Sequence, residues 1–370
     1  MRSLANSKSE SLRIAQVVPL WTSVPPAHYG GIELITHYLV RELIARGHKV
    51  TLFGSGDSKT GAELHAVCDE NMLDLMARGE AYEYEYYANA SFAEALAKSD
   101  SFDVIHSHLG PSRIPYGMLS TTPVLHTMRI ALSVDDCWML NRYPSAAASA
   151  ISRSQIDPIS AARRKAIRVV YNGCDFDSYK LSTDEGRYLA FLGRMCPQKN
   201  PLEAIRIAKR LGMPILLAGK PQNEGEERYF AEKITPLIDD TNIVYVGPVN
   251  LAQKVELLKN ASALLFPIQW EEPFGNVMVE AMACGTPVVA WNRGSVSEVV
   301  DPGKTGFYCN SDEALATLVP LALTLDRANV RKFAMERFSH ERMADEYLKV
   351  YSELLQSPVG GLGLQTRQFP

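Results

Sequence analysis

Ala263-Leu-Leu-Phe266, Asn276-Val-Met-Val-Glu280-Ala-Met-Ala283 and Pro287-Val-Val-Ala290 decide the fold of this chain. The first and third are apolar runs of strand length, and the second is a helix-length segment closed by Gly285 and Pro287. Two strands joined through one helix form a crossover unit, whose strands lie parallel. The connecting loop, Glu271-Glu272-Pro-Phe-Gly275, follows the first strand and leads into the helix.

The same alternation extends outward in both directions. Towards the N-terminus of this half, strands are expected at 188–192, 214–218 and 243–246, with helices at 201–211, 229–238 and 251–260. An earlier, separate set begins with Ile14-Ala-Gln-Val-Val-Pro-Leu20, followed by a Pro-rich Gly-Gly turn. Ile32, Ile35, Leu39 and Leu43 then recur at helical spacing until Gly47. Strands at 50–53, 104–106, 124–125 and 169–171 complete that half, with a helix around 82–98. Strands alternating with helices predict α/β architecture: two doubly wound parallel sheets, each covered on both faces. The polar, turn-rich stretch 172–187 separates them. The expected domains are therefore 1–172, 187–335 and a final helix at 336–356 that packs on either domain. Residues 357–370, with their glycines and prolines, are expected to fray.

Composition excludes several classes. The 370 residues are 46% hydrophobic and 22% charged, with a formal net charge of −4, so nothing global favours nucleic acid. The first dozen residues lack the apolar core of a signal peptide, and no apolar run reaches membrane-span length. Six cysteines without metal-ligand spacing suit reduced thiols in a cytoplasmic protein.

Ligands of open parallel sheets bind beyond the carboxyl ends of the strands. The helix beginning near Gly275 or Asn276 offers free backbone N–H groups to an anion, and Gly275 admits close approach. Glu272 lies just before that helix and Glu280 more than a turn inside it. Carboxylates beside an anion site make sense if hydroxyl groups engage them; an acidic helix start that favours the dipole is the competing reading. Strand 188–192 runs into Gly193-Arg194-Met-Cys-Pro-Gln-Lys199-Asn200-Pro201, where Asn200 suits an N-cap and Pro201 the first turn. Arg194 and Lys199 then stand where a diphosphate meets both, one as a fork of donors and one as a point charge.

The Arg194/Lys199 loop and the Glu272/Glu280 pair resemble glycosyltransferase family 4, whose members have the GT-B fold of two Rossmann-like domains facing across a cleft. Pro25-Pro-Ala-His-Tyr29-Gly30-Gly31-Ile-Glu33, Arg46-Gly47-His48, Asp103-Val-Ile-His106-Ser-His108, Ala150-Ile-Ser152 and Tyr171-Asn172-Gly173-Cys-Asp175 extend the resemblance from about Ile14 to Tyr351. It implies a retaining hexosyl transfer from a nucleoside-diphosphate sugar to an acceptor hydroxyl left open by these residues. It further implies that Arg194 and Lys199 hold the diphosphate, Glu280 the ribose and Glu272 the donor sugar. Gly30, Gly31, Gly193, Phe274, Gly275 and Asn276 would line the donor. No metal or other cofactor is implied.

One position departs from the family. In Pro123-Val-Leu-His126-Thr127-Met128-Arg129, Arg129 stands where a histidine normally points at the donor sugar. His126 should face the opposite side by strand alternation. His106 and His108 flank Ser107 at a strand end, where a hydrogen-bonded structural role is the expected one. Asp175-Phe-Asp177 imitates a metal motif but lies in a turn. Arg153, Arg163, Arg164, Lys165 and Arg168 read as a solvated helix face, with peripheral membrane contact less favoured. The rival readings are another GT-B enzyme (a phosphorylase or a nucleotide-sugar epimerase) and a non-catalytic binder of sugar nucleotides.

Overall fold

A computed structural model describes residues 11–27, 30–311 and 314–356. The leader-free reading of residues 1–10, the His28-Tyr29 pair and the expected fraying of 357–370 lie outside these residues. Among the described residues, thirteen strands form two wholly parallel sheets. The first contains β1 (Arg13–Val17), β2 (Lys49–Phe53), β3 (Glu63–His65), β4 (Val104–Ser107), β5 (Val124–Thr127), β6 (Ala147–Ala150) and β7 (Arg168–Val169), in the order β3-β2-β1-β4-β5-β6-β7. The second contains β8 (Tyr188–Leu192), β9 (Ile215–Ala218), β10 (Ile243–Gly247), β11 (Ala261–Phe266), β12 (Val288–Trp291) and β13 (Gly306–Cys309), in the order β10-β9-β8-β11-β12-β13. In each sheet the order reverses beside the first strand, at β1/β4 and at β8/β11. These switch points are where a doubly wound sheet opens a ligand crevice.

Side-chain alternation explains why both faces of each sheet are covered. Ile14 faces the Gly31–Ala45 helix through Leu39 and Leu43, whereas Ala15 and Val17 face Phe92 and Ala95 of the Tyr84–Ala97 helix. In the second sheet Ala190 and Leu264 meet Met278 and Met282, while Leu189, Phe191 and Leu265 meet Ile205 and Ala208.

The C-terminal region differs from the single helix expected at 336–356. The Arg327–Phe338 helix belongs to the second core, and a new helix, His340–Gln356, starts after an extended residue, Ser339. The second helix carries Met343, Tyr347, Val350 and Tyr351 onto the first sheet beside Ile14 and Val104. Cys174 donates to Phe338 O and His340 N donates to Cys174 O, both backbone bonds, so this chain reversal is anchored to the interdomain segment. That segment is packed: Cys174, Phe176 and Tyr179 are buried, and Asp175 is bound to Arg41 at 2.8 Å.

Candidate functional site between the two domains

Two helix starts face each other where the switch points meet. The Gly31–Ala45 helix follows β1, the Asn276–Ala283 helix follows β11, and neither has a side-chain cap. Other helices are capped by Asn200, Asn223 or Asn250. A Cβ placed on Gly31 would lie 3.6 Å from Asn276 Nδ2, which measures how closely the starts approach. Their first N–H groups and the positive ends of both helix dipoles therefore converge, with the N–H of Glu33 in the Gly31–Ala45 helix engaged by its own carboxyl.

The glycines have different reasons to be there. Gly275 has φ +72°, and a Cβ would press on Met278 at 2.7 Å. Gly30 is required by packing against Thr22 and Pro26. By contrast, a Cβ at Gly31 or Gly193 would meet nothing closer than 3.6 or 3.7 Å, so the protein's own packing leaves room for one there. Phe274 is buried against Tyr171 and Phe338, leaving only its backbone for a ligand.

Lys199 and Glu272 meet in an ion pair, and Trp270 Nε1 donates to the same carboxylate oxygen at 2.8 Å. The Lys199 ammonium also lies over the Trp270 ring, 5.1 Å from its centre. Asn200 fixes this loop by capping the Pro201–Leu211 helix through the N–H of Glu203 at 3.3 Å. Arg194 is turned elsewhere, to Gln222 Oε1 at 3.2 Å and Glu226 Oε1 at 3.3 Å. Glu280, four residues after Asn276, shares its helix face and accepts from Lys254 Nζ at 2.6 Å. Asn172, Tyr38, Asn276 and Glu280 line one crevice between the domains.

Arg129 of the first domain is buried behind this crevice and joined to it through Asn172. Its Nη1 donates to Asn172 Oδ1 at 2.6 Å, and Asn172 Nδ2 donates to Asn276 Oδ1 at 2.9 Å. Arg129 Nε donates to His108 Nδ1 at 3.1 Å. Behind it, His106 joins Tyr351 and Thr127 at 2.7 and 2.6 Å, and His108 joins Gln16 at 2.8 Å. Burial, together with neighbouring positive charge, pushes both histidines well below their ordinary range, so they stay neutral. His126 points to the opposite face, against Phe92. The basic stretch needs correction: Arg163 is buried and donates to the carbonyls of Leu140, Pro144 and Ala146 at 2.6–3.1 Å.

The family model for Glycosyltransferase Family 4 matches residues 29–178, and that for Glycosyl transferases group 1 matches 176–337. The two adjoin at the interdomain segment and together span both sheets. The chain is a glycosyltransferase. This glycosyltransferase is 25% identical over 381 residues to the D-inositol 3-phosphate glycosyltransferase of Mycolicibacterium smegmatis, covering 88% of this chain and 87% of the relative. Glycogen synthase of Mycobacterium tuberculosis is 24% identical, with 82% and 84% covered. Among solved structures, AviGT4, a glycosyltransferase of avilamycin A biosynthesis, superposes with a TM-score of 0.70 at 26% identity, covering 93% of this chain and 98% of that one. Anabaena HepE in complex with UDP superposes at 0.71 and 20% identity, covering 92% and 100%. The glycosyltransferase thus has the GT-B architecture that its sequence motifs imply.

Several residues of the site escaped the sequence. Lys254, Glu226 and Trp270 carry no spacing signal because each reaches its partner only through tertiary packing. Glu298 joins the domains: it accepts from the backbone N–H groups of Arg153 and Ser154, both at 2.8 Å, and from Tyr171 Oη at 3.0 Å. The Asn172 contact had one signal, its place in the Tyr171-Asn172-Gly173 motif.

Proposed function

We propose that this enzyme is a retaining glycosyltransferase that moves a hexose-type sugar from a nucleoside-diphosphate sugar to an acceptor hydroxyl, without a metal ion. The observation that carries the reading is the meeting of two uncapped helix starts beside Lys199. A diphosphate suits that place because its charge is met by fixed amides and dipoles. In this reading the phosphate oxygens draw Lys199 away from Glu272, and the freed carboxylate accepts from hydroxyls of the donor sugar. Arg194 turns from Glu226 to the same diphosphate. Glu280 accepts from the ribose while Lys254 balances its charge.

Charge builds on the leaving diphosphate as the glycosidic bond breaks. Once Lys199 and Arg194 have turned to the bound diphosphate, they and the helix amides stabilise that charge with no further reorganisation, which lowers the barrier. The acceptor hydroxyl approaches from the side the diphosphate leaves, so the anomeric configuration is kept. The UDP and UDP-glucose held by HepE support a nucleotide-sugar donor.

The test is to incubate the full chain with a panel of nucleoside-diphosphate sugars, follow nucleoside diphosphate release, and read the product's anomeric configuration by NMR. Release with an unchanged anomer is expected. No release from any donor, or an inverted anomer, contradicts the reading. Activity should also survive thorough chelation; complete loss that magnesium or manganese restores would place a metal in the mechanism.

A further inference from the structure

The cations of the second domain that face the site each have a carboxylate: Arg194 has Glu226, Lys199 has Glu272 and Lys254 has Glu280. Arg129 differs. It is 8% exposed, and among the described residues no carboxylate forms an ion pair with it. Its Nε and Nη1 are taken by His108 and Asn172, but Nη2 is buried without a hydrogen-bond partner. The Tyr347 ring lies 5.8 Å from the guanidinium carbon, and the Tyr347 hydroxyl is likewise buried without a hydrogen-bond partner. That hydroxyl stands close enough to favour the charged arginine. The neighbouring His106 and His108 are neutral and bring no negative charge.

A buried charge without a counter-ion is costly, and two orphaned polar groups side by side add to the cost. Such an arrangement persists where a ligand completes it. Two donors, one guanidinium N–H and one phenolic O–H, match the two oxygens of a planar carboxylate. Asn172, which lines the crevice, ties the other edge of Arg129 to Asn276, the first residue of the helix that faces the diphosphate. The group sought therefore belongs to the donor side. We propose that Arg129 and Tyr347 seat a carboxylate of the transferred sugar, so that the preferred donor is a nucleoside-diphosphate hexuronate. This rests on the donor reading above and narrows it.

The experiment first titrates the full chain with UDP, ADP, GDP and dTDP by calorimetry, then compares the hexose and hexuronate esters of the nucleotide that binds. The wild type should favour the hexuronate ester by roughly tenfold to a hundredfold, the range of a charge-assisted hydrogen bond. Arg129→Met should lose most of that preference, Arg129→Lys should keep part of it, and Tyr347→Phe, the milder change to the fold, should reduce it severalfold. Equal affinity of the wild type for both esters overturns the proposal. So does a loss in Arg129→Met, or in Tyr347→Phe if the former does not fold, that is as large for the bare nucleotide as for the hexuronate ester; Arg129 would then serve the diphosphate. If none of the four nucleotides binds, the donor reading itself has failed, and this is seen before any sugar is compared.

Discussion

Lys199 and Glu272 hold one another, so any phosphate that takes Lys199 must compete with a carboxylate already bonded to Trp270. Lys199→Ala and Arg194→Ala should each lower turnover on the order of 10²–10³-fold, the usual effect of removing a preorganised charge at a leaving group. Initial rates decide this, and near-normal turnover in both variants would remove the phosphate assignment. The two glutamates should separate. Glu280→Gln is expected to weaken nucleoside diphosphate binding by about 1–3 kcal/mol, because the proposed ribose contact would be made equally in ground and transition states. Glu272→Gln should not weaken that affinity, because it removes the carboxylate that competes for Lys199, and should depress kcat if, as proposed, Glu272 contacts the sugar whose geometry changes. Titration followed by turnover measures both, and the opposite pattern reverses the roles. The places of Arg194, Lys199 and Glu272 beside a strand end or helix start, and of Glu280 a turn inside its helix, were legible because local sequence marks those boundaries. Their partners Glu226, Lys254 and Trp270 were not, because their contacts depend on how separate elements pack.

At the scale of elements, the start of the Gly31–Ala45 helix carries a buried acid. Burial is the main cause that pushes the Glu33 carboxyl up from 4.5 to about 7, against backbone N–H groups of Glu33 and Thr22 that favour its charged form. A raised folded-state value means that protons are bound more tightly in the folded chain. The associated stability is fully present below about pH 4.5 and is lost as pH rises through about 7. The difference corresponds to about 3 kcal/mol, so Glu33→Gln should remove much of the decline in stability across that window. Urea melts of both proteins at pH 5 and pH 8 test it; parallel pH profiles would contradict it. The strand-helix alternation was readable where β-branched residues or helical spacing were present. β6, Ala147-Ala-Ser-Ala150, has neither and is a strand because β5 and β7 flank it. The break at Ser339 was hidden for a similar reason: apolar spacing runs on through it, and only the tertiary path turns there.

Across the whole molecule, the fold class and the two halves were legible from the restart of the pattern at Tyr188, whereas the ties between the halves were not. Glu298 of the second domain holds two backbone N–H groups and a phenol of the first, and the His340–Gln356 helix returns to the first sheet, where Tyr351 bonds Gln16 at 3.0 Å. Glu298→Ala should therefore loosen the approach of the domains. Its kcat/KM should fall about tenfold, with a larger radius of gyration in solution scattering, since closure completes a site built from both halves. An unchanged rate and radius would mean that the domains are held by other contacts. In the proposed enzyme the converging helix starts and Lys199 form one diphosphate seat. Calorimetric titration of UDP, ADP, GDP and dTDP, each beside its nucleoside, into the wild type and Lys199→Ala tests it most directly. One diphosphate should bind at least about tenfold tighter than its nucleoside, about 1.4 kcal/mol, and Lys199→Ala should abolish this margin. Equal affinity for diphosphate and nucleoside, or a margin that survives the loss of Lys199, would contradict it.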